Sequence, residues 1–314
     1  MQVFGPIPSR RLGRSLGINN IPPKACSYSC VYCQIGHVPE TEVKPRGFYT
    51  PAYLFQQVKQ RVEQLKSQGE TVDYLSFVPD GEPTLDTQLG ETVDLLKVLG
   101  IKIAIISNAS LIWRPEIRDT LHKFDWVCLK VDTVNEAIWR QLNKAHGQLK
   151  LATILEGIEQ FAKTYQGTLA TDTMLVKNLN VDEESARGIA HFLGKINPSK
   201  AYLLVPTRPP ADLEVAPPSP LEVNRFYQIV SATIPQVECI MGNEGNAFAS
   251  TGNVEQDVLS ITAVQPLREG AVRELLARNQ ADWQVITQLL QQGQLLETDY
   301  QGEKFYIRRF KSAS

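Results

Sequence analysis

Three cysteines stand close together in Lys24-Ala25-Cys26-Ser27-Tyr28-Ser29-Cys30-Val31-Tyr32-Cys33, a C-x3-C-x2-C spacing with an aromatic just before the last thiol. Three thiolates on one short loop can hold three corners of a cubic iron–sulfur cluster and leave the fourth iron without a protein ligand. An open iron is a place to bind and activate a second molecule. His37 follows four residues after Cys33, so the same loop could instead close a Cys3His zinc site. Structural zinc usually draws its ligands as two short pairs, and this loop has no second pair. The spacing therefore favours a reactive cluster over a structural clasp.

A second motif, Asp80-Gly81-Glu82-Pro83-Thr84-Leu85, directly follows the strand-like run Tyr74-Leu75-Ser76-Phe77-Val78. A Gly-Glu-Pro turn at the end of a strand can present backbone carbonyls to the ammonium of a ligand. Such turns are common alone. One β-α unit beyond a three-cysteine loop, the combination is specific.

The elements that must position these residues follow from periodicity. Residues 52–68 carry an apolar stripe of Leu54, Val58, Val62 and Leu65 and read as a helix. Strands are expected over 74–78, 102–107, 126–132, 169–176, 201–205 and 237–241, with helices over 87–99, 149–166, 182–196 and 219–232 between them. Alternation of this kind implies parallel β-α units closing into a partial or complete barrel, whose mouth is lined by the polar ends of the strands. Residues 242–253, rich in Gly and Asn, read as a loop. Beyond them the pattern predicts helices over 255–264 and 270–278, a third capped by Asp282, and a hairpin of 295–299 with 304–308. Three helices and a hairpin predict a winged-helix-like domain over 254–314, after a barrel domain over 1–253.

The 314 residues are 43% hydrophobic and 21% charged, with a net charge of -2. This balance argues against a protein that coats nucleic acid electrostatically. No apolar run is long enough to span a bilayer and the first residues do not begin a signal peptide, so a cytoplasmic protein without a membrane partner is expected. In that compartment clustered cysteines favour metal over disulfide. Cys128 and Cys239 lie in apolar strands and read as buried thiols. Arg10, Arg11 and Arg14 are compatible with a substrate face and with surface salt bridges alike.

Cys26, Cys30, Tyr32 and Cys33, followed by Gly81-Glu82-Pro83, resemble the signature of the radical S-adenosylmethionine (SAM) superfamily. The superfamily pattern often has Gly-Gly-Glu where this chain has Asp80-Gly81-Glu82. The segments Phe4 to Gly17, Gln34-Ile35-Gly36 and Pro206-Thr207-Arg208-Pro209-Pro210 look like one subfamily. These are stand-alone iron–sulfur oxidoreductase-like members, loosely grouped with tRNA wyosine-base synthases, and the likeness covers nearly the whole chain.

The resemblance implies an α/β fold built on a partial (β/α)6-type barrel, a [4Fe-4S] cluster on Cys26, Cys30 and Cys33, and SAM bound through its amino and carboxylate groups. One electron would cleave the sulfonium C–S bond, giving methionine and a 5′-deoxyadenosyl radical that abstracts hydrogen from a substrate. By the same resemblance Tyr32 packs beside the adenine, Gly81, Glu82 and Pro83 orient the amino end, and Asn108 contacts the ribose or carboxylate. Lys130, Asp132, Thr173, Lys177 and Arg208, at expected strand ends, are candidates for the SAM carboxylate or the substrate. A reduced flavodoxin- or ferredoxin-type protein is the implied electron donor. Cys128 and Cys239 cannot by themselves ligate a second cubic cluster, so sulfur insertion from an auxiliary cluster is not expected.

Three functions remain open from the sequence. An enzyme acting on RNA, such as a tRNA base, is motivated by the winged helix and terminal basic residues. An enzyme modifying a peptide is motivated by the strand edge such a module offers. A non-catalytic metal-binding regulator would need no SAM.

Overall fold

The computed structural model describes residues 2–241 and 253–309. Most of the expected loop 242–253, and the last basic residue Lys311, therefore lie outside the described residues. Eight strands, β1 (Val3–Ser9), β2 (Gly13–Ile18), β3 (Tyr74–Phe77), β4 (Lys102–Ser107), β5 (Trp126–Lys130), β6 (Thr168–Met174), β7 (Lys200–Leu204) and β8 (Val237–Ile240), form one sheet in sequence order. β1 and β2 make an antiparallel hairpin, and every later neighbour is parallel. The crossovers carry α1 (Pro51–Ser67), α2 (Leu89–Leu96), α3 (Pro115–Leu121), the pair α4 (Glu136–Asn143) and α5 (Leu151–Thr164), α6 (Glu183–Ile196) and α7 (Pro220–Ser231).

The near-continuous apolar strands are explained by what covers each face. Leu75, Phe77, Ile103, Ile105, Val127 and Leu129 pack outward into the core shared with the helices. Ala104, Trp126, Cys128, Ala170 and Tyr202, offset by one residue, form a separate cluster on the inner face. The period of two of a strand thus divides one apolar run between two cores. Helix starts are locally encoded. Thr50 caps α1 by accepting from Tyr53 N with Pro51 just inside, and Ser219 and Glu222 form a reciprocal capping box on α7.

The hairpin of β1 and β2 was not expected, nor were α3 and α4. Its tip is the basic stretch 9–14. Leu12 is buried in the inner-face cluster, and Arg11 reaches Asp172 of β6 at 2.5 Å. Arg11 is therefore an interior group, while Arg14 stays outside and pairs with Glu70. Cys239, expected to be buried, is partly exposed.

The C-terminal residues form α8 (Val254–Val264), β9 (Leu267–Arg268), α9 (Glu269–Arg278), α10 (Gln284–Gln291), β10 (Leu295–Tyr300) and β11 (Glu303–Arg308). The strands make an antiparallel sheet in the order β10-β11-β9. Val258, Ile261, Leu275, Ile286 and Tyr306 build a core of their own, and Ile7 of β1 packs against it. α10 starts after the expected cap, with Asp282 Oδ1 accepting from Gln284 N at 2.7 Å. Tyr300 donates its hydroxyl to Pro206 O at 3.3 Å, tying this module to the loop after β7.

Candidate active site

The cysteine loop leaves the end of β2 and lies across the end of β3. Lys24 N donates to Asp80 O at 2.6 Å, and Glu82 N donates to Ala25 O at 2.9 Å. Gly81 permits this approach, because a Cβ there would lie 2.0 Å from Ala25 O. The carboxylate of Glu82 is buried, with 1% of the residue exposed. It accepts from Thr84 N at 3.0 Å, Thr84 Oγ1 at 2.6 Å, Ser107 Oγ at 2.8 Å and Asn108 N at 2.7 Å. Burial pushes its pKa up against those four donors. Glu82 therefore ties the β3 turn to the end of β4, and Gly81 is left in the cavity wall.

The thiols are gathered by two amides, one just after β4 and one at the end of α4. Asn108 Nδ2 lies 3.6 Å from Cys26 Sγ and 3.0 Å from Ser27 Oγ. Asn143 Nδ2 lies 3.4 Å from Cys30 Sγ and 2.8 Å from Asp132 Oδ2. Asp132 also accepts from the Tyr32 hydroxyl and from Met174 N at 2.8 Å. Burial, reinforced by Cys33 and Asp132, pushes the Cys30 thiol up to about 12, and burial also raises Cys26 and Cys33. Each thiol must give up its proton to become a ligand, so loading a metal group would release protons.

Cys26, Cys30 and Cys33 line one cavity of about 360 Å³ together with Tyr32, Gly81, Asn108, Lys130 and Arg208. Glu82, Pro83, Asp132, Thr173 and Lys177 are absent from that lining. Asp132 buttresses the cluster loop, Thr173 is buried and donates to Val131 O at 2.8 Å, and Lys177 is exposed. At the cavity floor Lys130 stands 5.3 Å from the centre of the Tyr32 ring. Burial pulls Lys130 down, but Asp132 and Asp172 outweigh it and hold it above its ordinary value. Burial likewise raises Asp172, and Arg11 and Lys130 more than reverse it. Gln265, from the residues just after α8, lines the same cavity. A wider groove of about 1140 Å³ runs between α6 and α7, lined by residues of those helices and away from the thiols.

Residues 206–216 strap the cluster loop from above. Asp212 N donates to Val31 O at 2.9 Å, Arg208 Nη1 to Gln34 Oε1 at 3.0 Å, and Lys144 pairs with Asp212 at 2.8 Å. His37 Nε2 lies 2.9 Å from Asp212 Oδ1. His37 is thus engaged by the strap. Among the described residues no three His, Cys, Asp or Glu side chains surround a single-ion position. Asn143, Asp172 and Gln265 escaped the sequence reading, since each reaches the site from an element far away in the chain. Asp80 was visible as a departure from the Gly-Gly-Glu pattern.

The residues fit an iron–sulfur cluster and SAM on two observations. The three thiols and the Gly81 turn border one cavity, and the buried Asp80 Oδ1 has no hydrogen-bond partner, as expected beside a cationic ligand. A β-α barrel with this loop and turn defines a class. The chain belongs to the radical SAM superfamily, whose family model matches residues 20–187. It is an enzyme of that class, using a [4Fe-4S] cluster and SAM, which replaces the regulator reading. When bound, these groups supply an electron and a 5′-deoxyadenosyl radical.

Within the superfamily the chain is 43% identical to a UPF0026 protein of Methanocaldococcus jannaschii, over 98% of this chain and 96% of that one. It is 26% identical to an S-adenosylmethionine-dependent nucleotide dehydratase of Selenomonas ruminantium, over 51% of this chain and 56% of that one. In fold it is similar to a radical SAM methyltransferase from Sphaerobacter thermophilus, with a TM-score of 0.53 and 16% identity over 73% of this chain and 67% of that one. It is also similar to TYW1 carrying a lysine–pyruvate adduct, with a TM-score of 0.52 and 14% identity over 70% and 74%.

Proposed function

We propose that this enzyme abstracts hydrogen from a nucleotide unit, and that the unit is a base of an RNA, tRNA first. The observation that carries this reading is Gln265. It joins the C-terminal module to the wall of the cavity that holds the thiols, so a long substrate held by the module would run into the reaction chamber. The helix-and-sheet arrangement of residues 254–309 supports a winged-helix-like domain that begins at 254. The similarity to a nucleotide dehydratase supports a nucleotide as the unit recognised. Within the chamber the chain's own groups have separable tasks. The Asn108 and Asn143 amides orient the thiols, Glu82 holds the turn rigid, and Lys130 and Arg11 offer cationic contacts at the floor. The walls exclude water and stray hydrogen donors from the radical. A reduced flavodoxin- or ferredoxin-type protein supplies the electron in this reading, and the compartment is the cytoplasm. No helix of the described residues is long and apolar enough to cross a membrane.

The test is 5′-deoxyadenosine formation by anaerobically reconstituted enzyme with and without tRNA, followed by mass analysis of the nucleosides. Salt-sensitive stimulation by tRNA and a mass change in one nucleoside are expected. Turnover indifferent to tRNA defeats the RNA reading. One observation favours a peptide as the second reading: β10 is an edge strand of the module's sheet among the described residues, where an extended segment could add.

A further inference from the structure

Gln265 caps the C-terminal end of α8, with its backbone extended and its N–H donating to Ile261 O at 3.0 Å. Its neighbours before and after hold it in place. Ile261 and Leu267 are buried in the core of the C-terminal module, and Ile7 of β1 packs against that core. Arg61 of α1 strengthens the join. Its Nη2 donates to Gly5 O at 2.7 Å, and Asp257 of α8 helps it keep its charge. The module therefore presents Gln265 from a fixed frame to the cavity of the thiols, which Ile7 also lines.

Other polar groups of that wall have partners within the protein. Asn108 steadies Cys26, Gln34 accepts from Arg208, and Arg11 pairs with Asp172. The side-chain amide of Gln265 makes no hydrogen bond to any described residue. Only 9% of the residue is exposed, yet neither amide atom is sealed in, so the amide opens on the chamber. An amide kept from bulk water without a partner is destabilising. An apolar side chain would fill the same space without that cost.

A side-chain amide offers a carbonyl acceptor and an N–H donor side by side in one plane, with no charge. Its complement is a neutral, planar edge with a donor beside an acceptor. A nucleobase has such an edge. A phosphodiester has no donor, and a trans peptide unit points its N–H and C=O in opposite directions. SAM carries a base too, but the family model that takes in the cluster loop and the Gly81 turn ends at residue 187. Gln265 lies in the module beyond it. We propose that the Gln265 amide pairs with the donor–acceptor edge of the substrate base and so holds the reacting carbon in the path of the radical. The assignment rests on the reading of the substrate as an RNA base, and it makes the module itself part of base recognition.

The test uses full-length, reconstituted enzyme with matched iron and sulfide content, SAM, and total tRNA from cells lacking the enzyme. It measures 5′-deoxyadenosine formed per nucleoside modified, and SAM affinity by equilibrium dialysis. Gln265→Leu is expected to raise that ratio about tenfold, because the radical forms while the base is no longer held in its path. In Gln265→Glu the carboxylate has no donor, whereas its acid form carries one beside an acceptor. Its ratio should therefore return towards that of wild type at the same pH as the pH falls from about 8 to about 5. A damaged module would not be repaired by a proton. Ratios within about twofold of wild type in both variants overturn the proposal. So does a SAM affinity that falls in step with the rise in the ratio, which assigns the amide to the adenine of the cofactor. A wild-type enzyme that modifies no nucleoside of this tRNA sinks the RNA reading and the inference together, and that result is seen before any variant is made.

Discussion

The half of the barrel formed by the cluster loop, β3 and β4 handles polar groups differently from the half formed by β5 to β8. In the first half a single carboxylate, Glu82, takes four donors and locks two strand ends together. In the second half Asp172 of β6 pairs with Arg11 of the hairpin, and Lys130 of β5 lies over the Tyr32 ring of the cluster loop. The first arrangement has one solution and tolerates no rearrangement. The second can exchange partners when a ligand enters. A rigid half suits chemistry common to all substrates, and an adaptable half suits telling substrates apart.

That contrast can be broken most severely at the loop. Cys30→Ala is expected to remove the cluster, lowering 5′-deoxyadenosine formation at least about a thousandfold; a variant within tenfold of wild type would refute the ligand assignment. Glu82→Ala comes next, because it strands buried donors on Thr84, Ser107 and Asn108. Thermal or denaturant unfolding should register a loss of about 3–5 kcal/mol, together with lost SAM binding. Arg11→Met leaves Asp172 buried beside Lys130 alone and should cost about 3 kcal/mol. SAM affinity should survive it, and a cycle with Asp172→Asn should recover much of the stability. If Arg11→Met abolishes SAM binding, the two halves are not separable.

A smaller effect is read from pH. Burial pushes the Asp80 carboxyl up to about 8 from an ordinary 3.8. Between those values the folded chain keeps a proton that the unfolded chain has released. Its contribution is complete below about pH 4 and drains away as pH rises through 8, at up to about 1.4 kcal/mol per unit. Asp80→Asn should flatten that slope in the cluster-free protein, as measured by unfolding midpoints from pH 4 to 9. Tyr300→Phe, which removes one partly exposed hydrogen bond to Pro206, should cost no more than about 1 kcal/mol.

The cysteine spacing and the Gly81 turn were legible because both act within a few residues, where sequence spacing is geometry. Strands β3 to β8 were legible because burial on both faces demands apolar runs. The hairpin was not, since Gly5, Pro6, Pro8, Gly13 and Gly17 erase its alternation. Gly17 has a structural reason: the Phe4 ring packs so closely that a Cβ there would lie 2.1 Å from it. Asp132 was singled out as a candidate SAM or substrate contact, but it lies outside the cavity lining, and its partners Tyr32, Asn143 and Met174 N could not be foreseen. Asn143 ends a helix with no local mark of its contact to Cys30. Arg11 stayed undecided between a substrate face and a surface salt bridge because its partner, Asp172 of β6, lies 161 residues away in the chain.

The buried tip of the N-terminal hairpin has a consequence for assembly. Leu12 packs among Ala104, Trp126, Cys128, Ala170 and Tyr202, an apolar cluster on the inner face of the sheet. A chain whose hairpin has not docked leaves that cluster wet, so the first strands in sequence complete a part of the core that the helices do not reach.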